Sequence, residues 1–327
     1  MRRVFNKAVP APHVAGRQTA ASDVSVPARA AAASSEIALQ PGSSTTDAFR
    51  TIAGGLVGLI AAQQSAVLNR DPTGVHQMRI ALRQTRVAIT IFADLAHGPE
   101  AERLKRELKW LTGRLGPARD LHLMDLRLQD TGAVGSAAFR KRVAADRASA
   151  FDTASRTVAN KRFGKLLGDL RAWIEAGDWA QTSKDVPDSA KTFAKRALTH
   201  RAGRLIKKLD GLDELDDEQR HQVRIAAKKL YYATGFFESL FDGPKAGKRL
   251  AKFRKHLKKL LDALGALNDT VVQRELASRP ANRSRQPKAD AAAARELAAA
   301  DDAITRKQMK AAVKAAAKLA DDRLFGD

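Results

Sequence analysis

His76-Gln77-Met78-Arg79-Ile80-Ala81-Leu82-Arg83-Gln84 returns 145 residues later as His221-Gln222-Val223-Arg224-Ile225-Ala226-Ala227-Lys228-Lys229. At 100° per residue, His76, Arg79, Arg83 and Arg86 share a helical arc of about 80°. Met78, Leu82, Thr85, Ile89 and Phe92 fill a second arc, more than a quarter-turn away. The stretch is therefore a helix with one core stripe and one cationic stripe, the latter about 15 Å long from residue 76 to 86. The copy supplies His221, Arg224 and Lys228, with Tyr231 where the first has Arg86, and Lys229 off the stripe. Arg79, Arg83 and Arg86 have no carboxylate one turn away, so repulsion along the stripe goes unrelieved. A solvated basic face could carry such a stripe once. Its recurrence behind a histidine in both copies points instead to a face that holds an anion.

A second block recurs in the same order. Leu115-Gly116-Pro117-Ala118-Arg119-Asp120 matches Leu264-Gly265-Ala266-Leu267-Asn268-Asp269 at an offset of 149. In the helix before it, Arg103, Lys105, Arg106 and Lys109 coincide with Lys252, Arg254, Lys255 and Lys258. Leu104, Leu108, Leu111 and Leu115 form that helix's apolar stripe, as Phe253, Leu257, Leu260 and Leu264 do in the copy. Lys105, Arg106 and Lys109, like Arg254, Lys255 and Lys258 in the copy, lie on the opposite side, and Arg106, Lys109, Lys255 and Lys258 join the candidate contacts at second rank. Phe92 and Phe237 keep the offset of the first block. Asp71 and Asp216 each stand five residues before the histidine as N-cap candidates, followed by Pro72 in one copy and by Asp217 and Glu218 in the other.

Duplicated helical units pack as similar bundles about a pseudo-two-fold axis. The expected fold is all-α: two four-helix bundles, residues 47–181 and 186–325, enclosing a basic pore or groove. Ala- and Leu-rich helical periodicity predicts eight helices, at about 47–70, 72–95, 99–130, 136–177, 188–211, 217–241, 245–277 and 288–325. Turn signals separate them, Asp71-Pro72, Gly98-Pro99, Gly132 to Gly135 and Gly243-Pro244 among them. Residues 1–46 carry Pro10, Pro12, Pro27 and Pro41 with few large apolar residues, and read as a disordered tail. Ser278 to Pro287 reads as a second loose stretch.

Composition narrows the function. The 327 residues hold 58 Lys and Arg against 36 Asp and Glu, a net charge of +22 spread through the chain. A partner of negative charge is implied: nucleic acid, an acidic membrane surface or a polyanionic metabolite. Cysteine is absent, which excludes disulfides, thiolate metal sites and cysteine nucleophiles. No run of roughly 18 apolar residues is found; Ile52 to Ala62 is too short and meets Gln63 and Gln64. No secretory signal follows Arg2 and Arg3, so cytoplasm is the default. Neither cofactor nor membrane partner is called for.

Of the seven histidines, only His76 and His221 are repeat-related. Arg79, Ile80, Arg224 and Ile225 occupy the positions one turn on, so a single-helix metal site is disfavoured, while a ligand set drawn from several helices stays open. Neighbouring arginines should depress the imidazole pKa and bound phosphate should restore it, so binding is expected to strengthen as pH falls from about 7.5 to 6. Phosphoryl-transfer chemistry would need metal-holding carboxylates or a positioned nucleophile. Asp120, Asp125 and Asp269 are the nearest carboxylates, and Asp120 and Asp269 read as structural. A nucleic-acid binder would interleave aromatics with its basic surface. Aromatics are only 5% of the chain, and Tyr231 and Tyr232 are the stacking candidates.

The blocks His76-x-x-Arg79-x-x-x-Arg83-x-x-Arg86, Leu115-Gly116-x-x-Arg119-Asp120 and His221-x-x-Arg224-x-x-x-Lys228-Lys229 together resemble the conserved histidine α-helical domain, the CHAD family. The resemblance covers about residues 47–325. It implies a non-catalytic module whose basic pore binds inorganic polyphosphate or another linear polyanion, in association with polyphosphate granules. Carried over by position, His76, Arg79, Arg83, His221, Arg224 and Lys228 would be contacts. Asn268 replaces the arginine of the first copy, and Tyr231 replaces Arg86, so the second half should grip more weakly. No E-x-E-x-K motif of a triphosphatase tunnel domain occurs, and a stand-alone binding module is expected. The competing expectations are a nucleic-acid-binding helical protein and a phosphohydrolase acting on polyphosphate. Oligomeric state is not legible.

Overall fold

The structure is a computed structural model that describes residues 37–130, 137–177, 179, 187–281, 287–322 and 324–325. It is all-helical there, with one isolated antiparallel bridge between Ser44 and Ser189. The first part of the chain forms α1 (Thr45–Ala62), α2 (Gln64–Leu68), α3 (Pro72–Ile91), α4 (Pro99–Arg114), α5 (Gly116–Asp130), α6 (Ala137–Ala159) and α7 (Lys161–Ala176). The second part forms α8 (Ala190–Lys208), α9 (Asp217–Phe236), a 3-10 turn (Glu238–Phe241), α10 (Pro244–Ala281) and α11 (Pro287–Asp321).

The two histidine helices begin as their sequences dictate. Asp71 accepts the Thr73 N–H at 2.8 Å, with Pro72 in the first turn of α3. Asp216 accepts the Gln219 N–H at 2.7 Å, and the Gln219 side chain accepts the Asp216 N–H at 2.9 Å, a reciprocal box that starts α9. Removing it by Asp216→Ala should cost about 1 kcal/mol, read as a lower urea midpoint with unchanged slope.

Three expected helices of the first half are broken where the copy supplies no such signal. The 47–70 helix divides at Gln63, whose N–H reaches the Ile60 carbonyl three residues back at 3.3 Å. The 99–130 helix divides at Leu115, because Pro117 brings no N–H to the ladder; Ala266 stands at the matching place and α10 runs through it. The 136–177 helix divides at Asn160, whose side chain accepts the Arg162 N–H at 2.9 Å and caps α7. The expected turn at 132–135 lies outside the described residues. Of the expected loose stretch, residues 278–281 belong to α10 and 282–286 lie outside the described residues.

Of the expected tail, residues 1–36 lie outside the described residues, and parts of 37–46 contact the fold. Leu39 is buried, and the Ser239 hydroxyl both accepts its N–H at 2.9 Å and donates to its carbonyl at 3.1 Å. Ser44 caps α1 by accepting the Asp47 N–H at 3.0 Å. By composition alone Thr45–Leu68 is long and apolar enough to cross a membrane, against expectation. In the fold α1 buries one face in the core, with Phe49, Ile52, Leu56 and Ile60 fully buried.

The halves meet through matching elements: α1 packs on α8, α3 on α9, and α5 on α10. Some residues touch their own counterparts. The Ser44–Ser189 bridge carries the 145 offset, with the Thr45 N–H donating to the Asp188 carbonyl at 2.8 Å and the Ala190 N–H to Ser43 at 3.1 Å. Phe92 and Phe237, also 145 apart, lie 5.7 Å centroid to centroid. Phe193 stacks on Phe92 at 4.8 Å and Phe49 packs on its other side at 5.2 Å. One aromatic knot thus fixes how α3 and α9 lie against each other, and with them the cationic stripes.

Candidate anion-binding site

Building outward from α3, the cationic stripe is not a solvent-facing row. Arg79 is 7% exposed. Its Nη1 donates to the Thr112 carbonyl at 2.8 Å, near the end of α4 where carbonyls lack helical partners. A Cβ on Gly116 would lie 3.0 Å from that Nη1, so the glycine of the second block leaves room for the arginine of the first. Asp120 opposes the Arg79 charge, while burial with Arg83 and Arg119 nearby lowers its pKa to about 10. The repeat-equivalent pair is present on the other side: Asp269 opposes Arg224, whose pKa burial also lowers. Burial raises the Asp269 pKa, with Arg224 and Lys228 pulling the other way and Asp120 close enough to add to the rise.

Between these pairs the stripes converge. His76, half-buried on α3, feels Arg119, Lys228, Arg79 and Arg83, and burial together with these cations lowers its pKa to about 3. Lys228, half-buried on α9, feels Arg83, Arg224 and Arg79, with Asp269 as partial relief; burial is the main reason its pKa falls to about 7. Arg83 is the common neighbour of His76, Arg79, Arg86, Arg224, Lys228 and Tyr232. Neither a hydrogen bond nor an ion pair ties its guanidinium within the described residues. The arrangement concentrates cations that carboxylates only partly balance, at a desolvated place where an anion's charge would be strongly felt.

His221 stands beside this centre. Its Nδ1 lies 2.8 Å from the Asn268 Oδ1, and the Asn268 side chain also bonds Asp269. An amide that donates to the carboxylate presents its oxygen to the imidazole, so Nδ1 carries the proton and Nε2 is left for another donor. The residue that replaces an arginine in the second copy thus orients the histidine. Arg86 adjoins Arg83 and Lys229, its Nε buried and without a hydrogen-bond partner among the described residues. Lys229 is exposed and feels Arg86, Arg201 and Lys105.

The second-rank candidates lie elsewhere. Arg106, Lys109 and Lys255 are exposed, and no contact joins them to the centre among the described residues. Lys258 is spent on Asp262 at 2.8 Å. The positions that do face the partner helices are their neighbours. Lys105 approaches Lys229, and Arg254 lies 5.1 Å above the Tyr231 ring and 3.2 Å from Thr234 Oγ1. A side opposite the leucine stripe points to water; the flank of the stripe meets the neighbouring helix. Arg119 belongs to the second repeated block, but no single-helix pattern tells that its charge reaches His76 and Arg79 on α3. Tyr231 and Tyr232, the stacking candidates, are both buried, at 7% and 6% exposure, and burial pushes the Tyr232 hydroxyl up to about 12. Groups of three or more His, Asp or Glu able to hold a metal ion are absent among the described residues.

Comparison with known proteins agrees with the all-helical fold. Among curated proteins, none is significantly similar in sequence to the chain. The crystal structure of the CHAD domain from the plant Ricinus communis superposes with a TM-score of 0.75 at 25% identity, over 86% of this chain and 94% of that one. PptA from Streptomyces chartreusis shares the fold with a TM-score of 0.56 at 20% identity, over 84% of this chain and 99% of that one. The sequence profile of the CHAD domain matches residues 51–278, which takes in both histidine stripes and both glycine blocks, and the chain belongs to the CHAD domain family.

Proposed function

We propose that this chain binds inorganic polyphosphate without transforming it, in a basic groove between two pseudo-symmetric four-helix bundles formed by residues 47–181 and 186–325. CHAD domains are non-catalytic modules, and membership supports a polyphosphate-associated role in general. The observation that carries the specific reading is the convergence of His76, Arg79, Arg83 and Arg119 with Arg224 and Lys228 from the other half, partly balanced by Asp120 and Asp269. Pseudo-symmetry is supported by residues meeting their own counterparts, as Ser44 meets Ser189 and Phe92 meets Phe237.

In this reading Arg83 and Lys228 are the central contacts, and Arg79 contributes its field while its Nη1 holds α4. His76, His221 and Arg224 line the groove; Arg86 and Lys229 extend it; Arg106, Lys109 and Lys255 act from outside by attraction at a distance. A chain of phosphates offers a charge at every unit and no bases, which suits a cationic groove without stacking platforms. The nucleic-acid reading loses its aromatic candidates to the core. Trp110, half-buried, already has the Arg162 guanidinium 3.7 Å above its ring. Association with polyphosphate granules follows from the same binding.

The test is competition. Long-chain polyphosphate should displace duplex DNA at equal phosphate concentration, and Arg83→Gln should weaken polyphosphate binding about tenfold, the worth of one charge-assisted contact. If DNA displaces polyphosphate instead, the reading is wrong. Arg79→Glu is a poorer probe, since it would also release the Thr112 carbonyl.

A further inference from the structure

A second basic concavity lies on the far flank of α9. It has a volume of about 630 Å³ and runs between α8, α9 and the end of α3. Arg196, His200, Arg201, Arg204 and Lys208 reach it from α8, and Lys229 from α9. Arg196, His200, Arg204 and Lys208 follow one another at intervals of four residues with Arg201 on their flank, so they form a third cationic stripe, outside the repeated histidine motif. Asp94 is the acidic residue on its wall, 3.4 Å from Arg196. Arg201 is held in place by the Thr90 carbonyl, to which its Nη2 donates at 3.2 Å. Arg204 and Lys208 are exposed, with no hydrogen bond or ion pair among the described residues.

This groove is not electrostatically separate from the central cluster. Lys229, Arg201 and Arg204 line the same concavity, and the charge of Arg83 is felt by Arg86, that of Arg86 by Lys229, and that of Arg204 by Arg201. Arg86 is the step between the two, and its buried Nε lacks a partner among the described residues. A compact anion would need only the central cluster. A series of cations from α3 through Lys229 to α8 matches a ligand that is itself a line of charges.

We propose that the α8–α9 groove is a second anion-binding section, reached from the central cluster past Arg86 and Lys229, that receives the outgoing part of a long phosphate chain. This rests on the polyphosphate reading above and adds a path and a chain-length preference to it. Long chains occupy both sections; tripolyphosphate, too short to leave the centre, occupies one.

The test compares affinities for tripolyphosphate and long-chain polyphosphate in wild type, R204Q/K208Q, the charge-conserving R204K/K208R, and R83Q. R204Q/K208Q should lower the ratio of long-chain to tripolyphosphate affinity about tenfold, as loss of surface charge contacts would. R204K/K208R should keep the wild-type ratio, and R83Q should weaken both ligands. Thermal melts matching wild type establish that the groove variants fold, as expected for exposed side chains. If R204Q/K208Q keeps the wild-type ratio while R83Q weakens both ligands, the second section is refuted and the central site stands. If neither R83Q nor the groove variant changes either affinity, the polyphosphate reading itself fails, and the path with it.

Discussion

Lys228→Met should weaken polyphosphate binding by roughly a hundredfold at pH 7 and at the same time raise the melting temperature by several degrees. The two effects have one origin. Lys228 is packed among Arg83, Arg79 and Arg224, with Asp269 as its partial counter-charge and His76 nearby, and burial brings its pKa down to about 7 from the usual lysine range. An unfolded chain would hold that proton up to about pH 10. Between about pH 7 and 10 the unfolded state therefore binds more protons, and the stability of the wild type rises with pH across that window. Below pH 7 both states are protonated and the full destabilisation is present. Methionine fills the same volume without the charge, for a gain on the order of 2 kcal/mol at pH 7. A bound polyanion reverses the balance by favouring the ammonium. Wild-type affinity should thus fall as pH rises above 7, by up to about tenfold per unit while the bound lysine stays charged. Lys229, lowered by burial and by Arg86, Arg201 and Lys105, contributes in the same sense, so Lys228→Met reduces the slope without removing it. Calorimetric titration at pH 7, 8 and 9 reads affinity and proton uptake together. Unchanged affinity, or a lower melting temperature, would remove Lys228 from the binding groove.

That window differs from the one the sequence suggests. Histidine next to arginine implies a response between pH 7.5 and 6, but burial adds to the arginine field and holds His76 at about 3, so the free protein keeps it neutral throughout that interval. The stripe and its hand were legible, since helical periodicity fixes which side chains share a face. The depth at which Lys228 and Arg79 sit was not, because burial depends on what the neighbouring helix brings. Caps at Asp71 and Asp216 were legible for the same local reason, and the offset of 145 already singled out Phe92 with Phe237. The break at Leu115 could have been read from Pro117, a helix-interior proline with alanine in its place in the copy. Arg106 and Lys255 stand 100° on the wheel from Lys105 and Arg254, and one helix alone does not tell which of them its neighbour will meet. The stripe on α8 has no counterpart in α1, so repetition gives no sign of it.

Asp269→Asn provides the opposite experiment to Lys228→Met. The substitution keeps the shape and an acceptor for the Asn268 amide, which in turn positions His221, and removes only the negative charge that faces Arg224 and Lys228. Losing the charge relieves the desolvation that raises the Asp269 pKa but takes the counter-charge from Arg224 and Lys228, so the two effects offset each other. The melting temperature of the free protein should therefore change little. Removing a carboxylate from an anion's path should strengthen polyphosphate binding several-fold, and saturating polyphosphate should then raise the melting temperature of the variant more than that of the wild type, since a ligand that binds only the folded state stabilises it by mass action. Polyphosphate would be taking the place of the missing carboxylate. Differential scanning fluorimetry with and without long-chain polyphosphate, on wild type and both variants, distinguishes this from ordinary damage. An Asp269→Asn protein that polyphosphate stabilises no more than wild type would show that Asp269 serves packing and not charge balance. The repeat-equivalent Asp120→Asn should behave in the same direction but with a smaller gain in affinity. Its arginine partner, Arg79, is already committed through Nη1 to the Thr112 carbonyl and cannot turn fully to the ligand, whereas Arg224 has no such tie among the described residues.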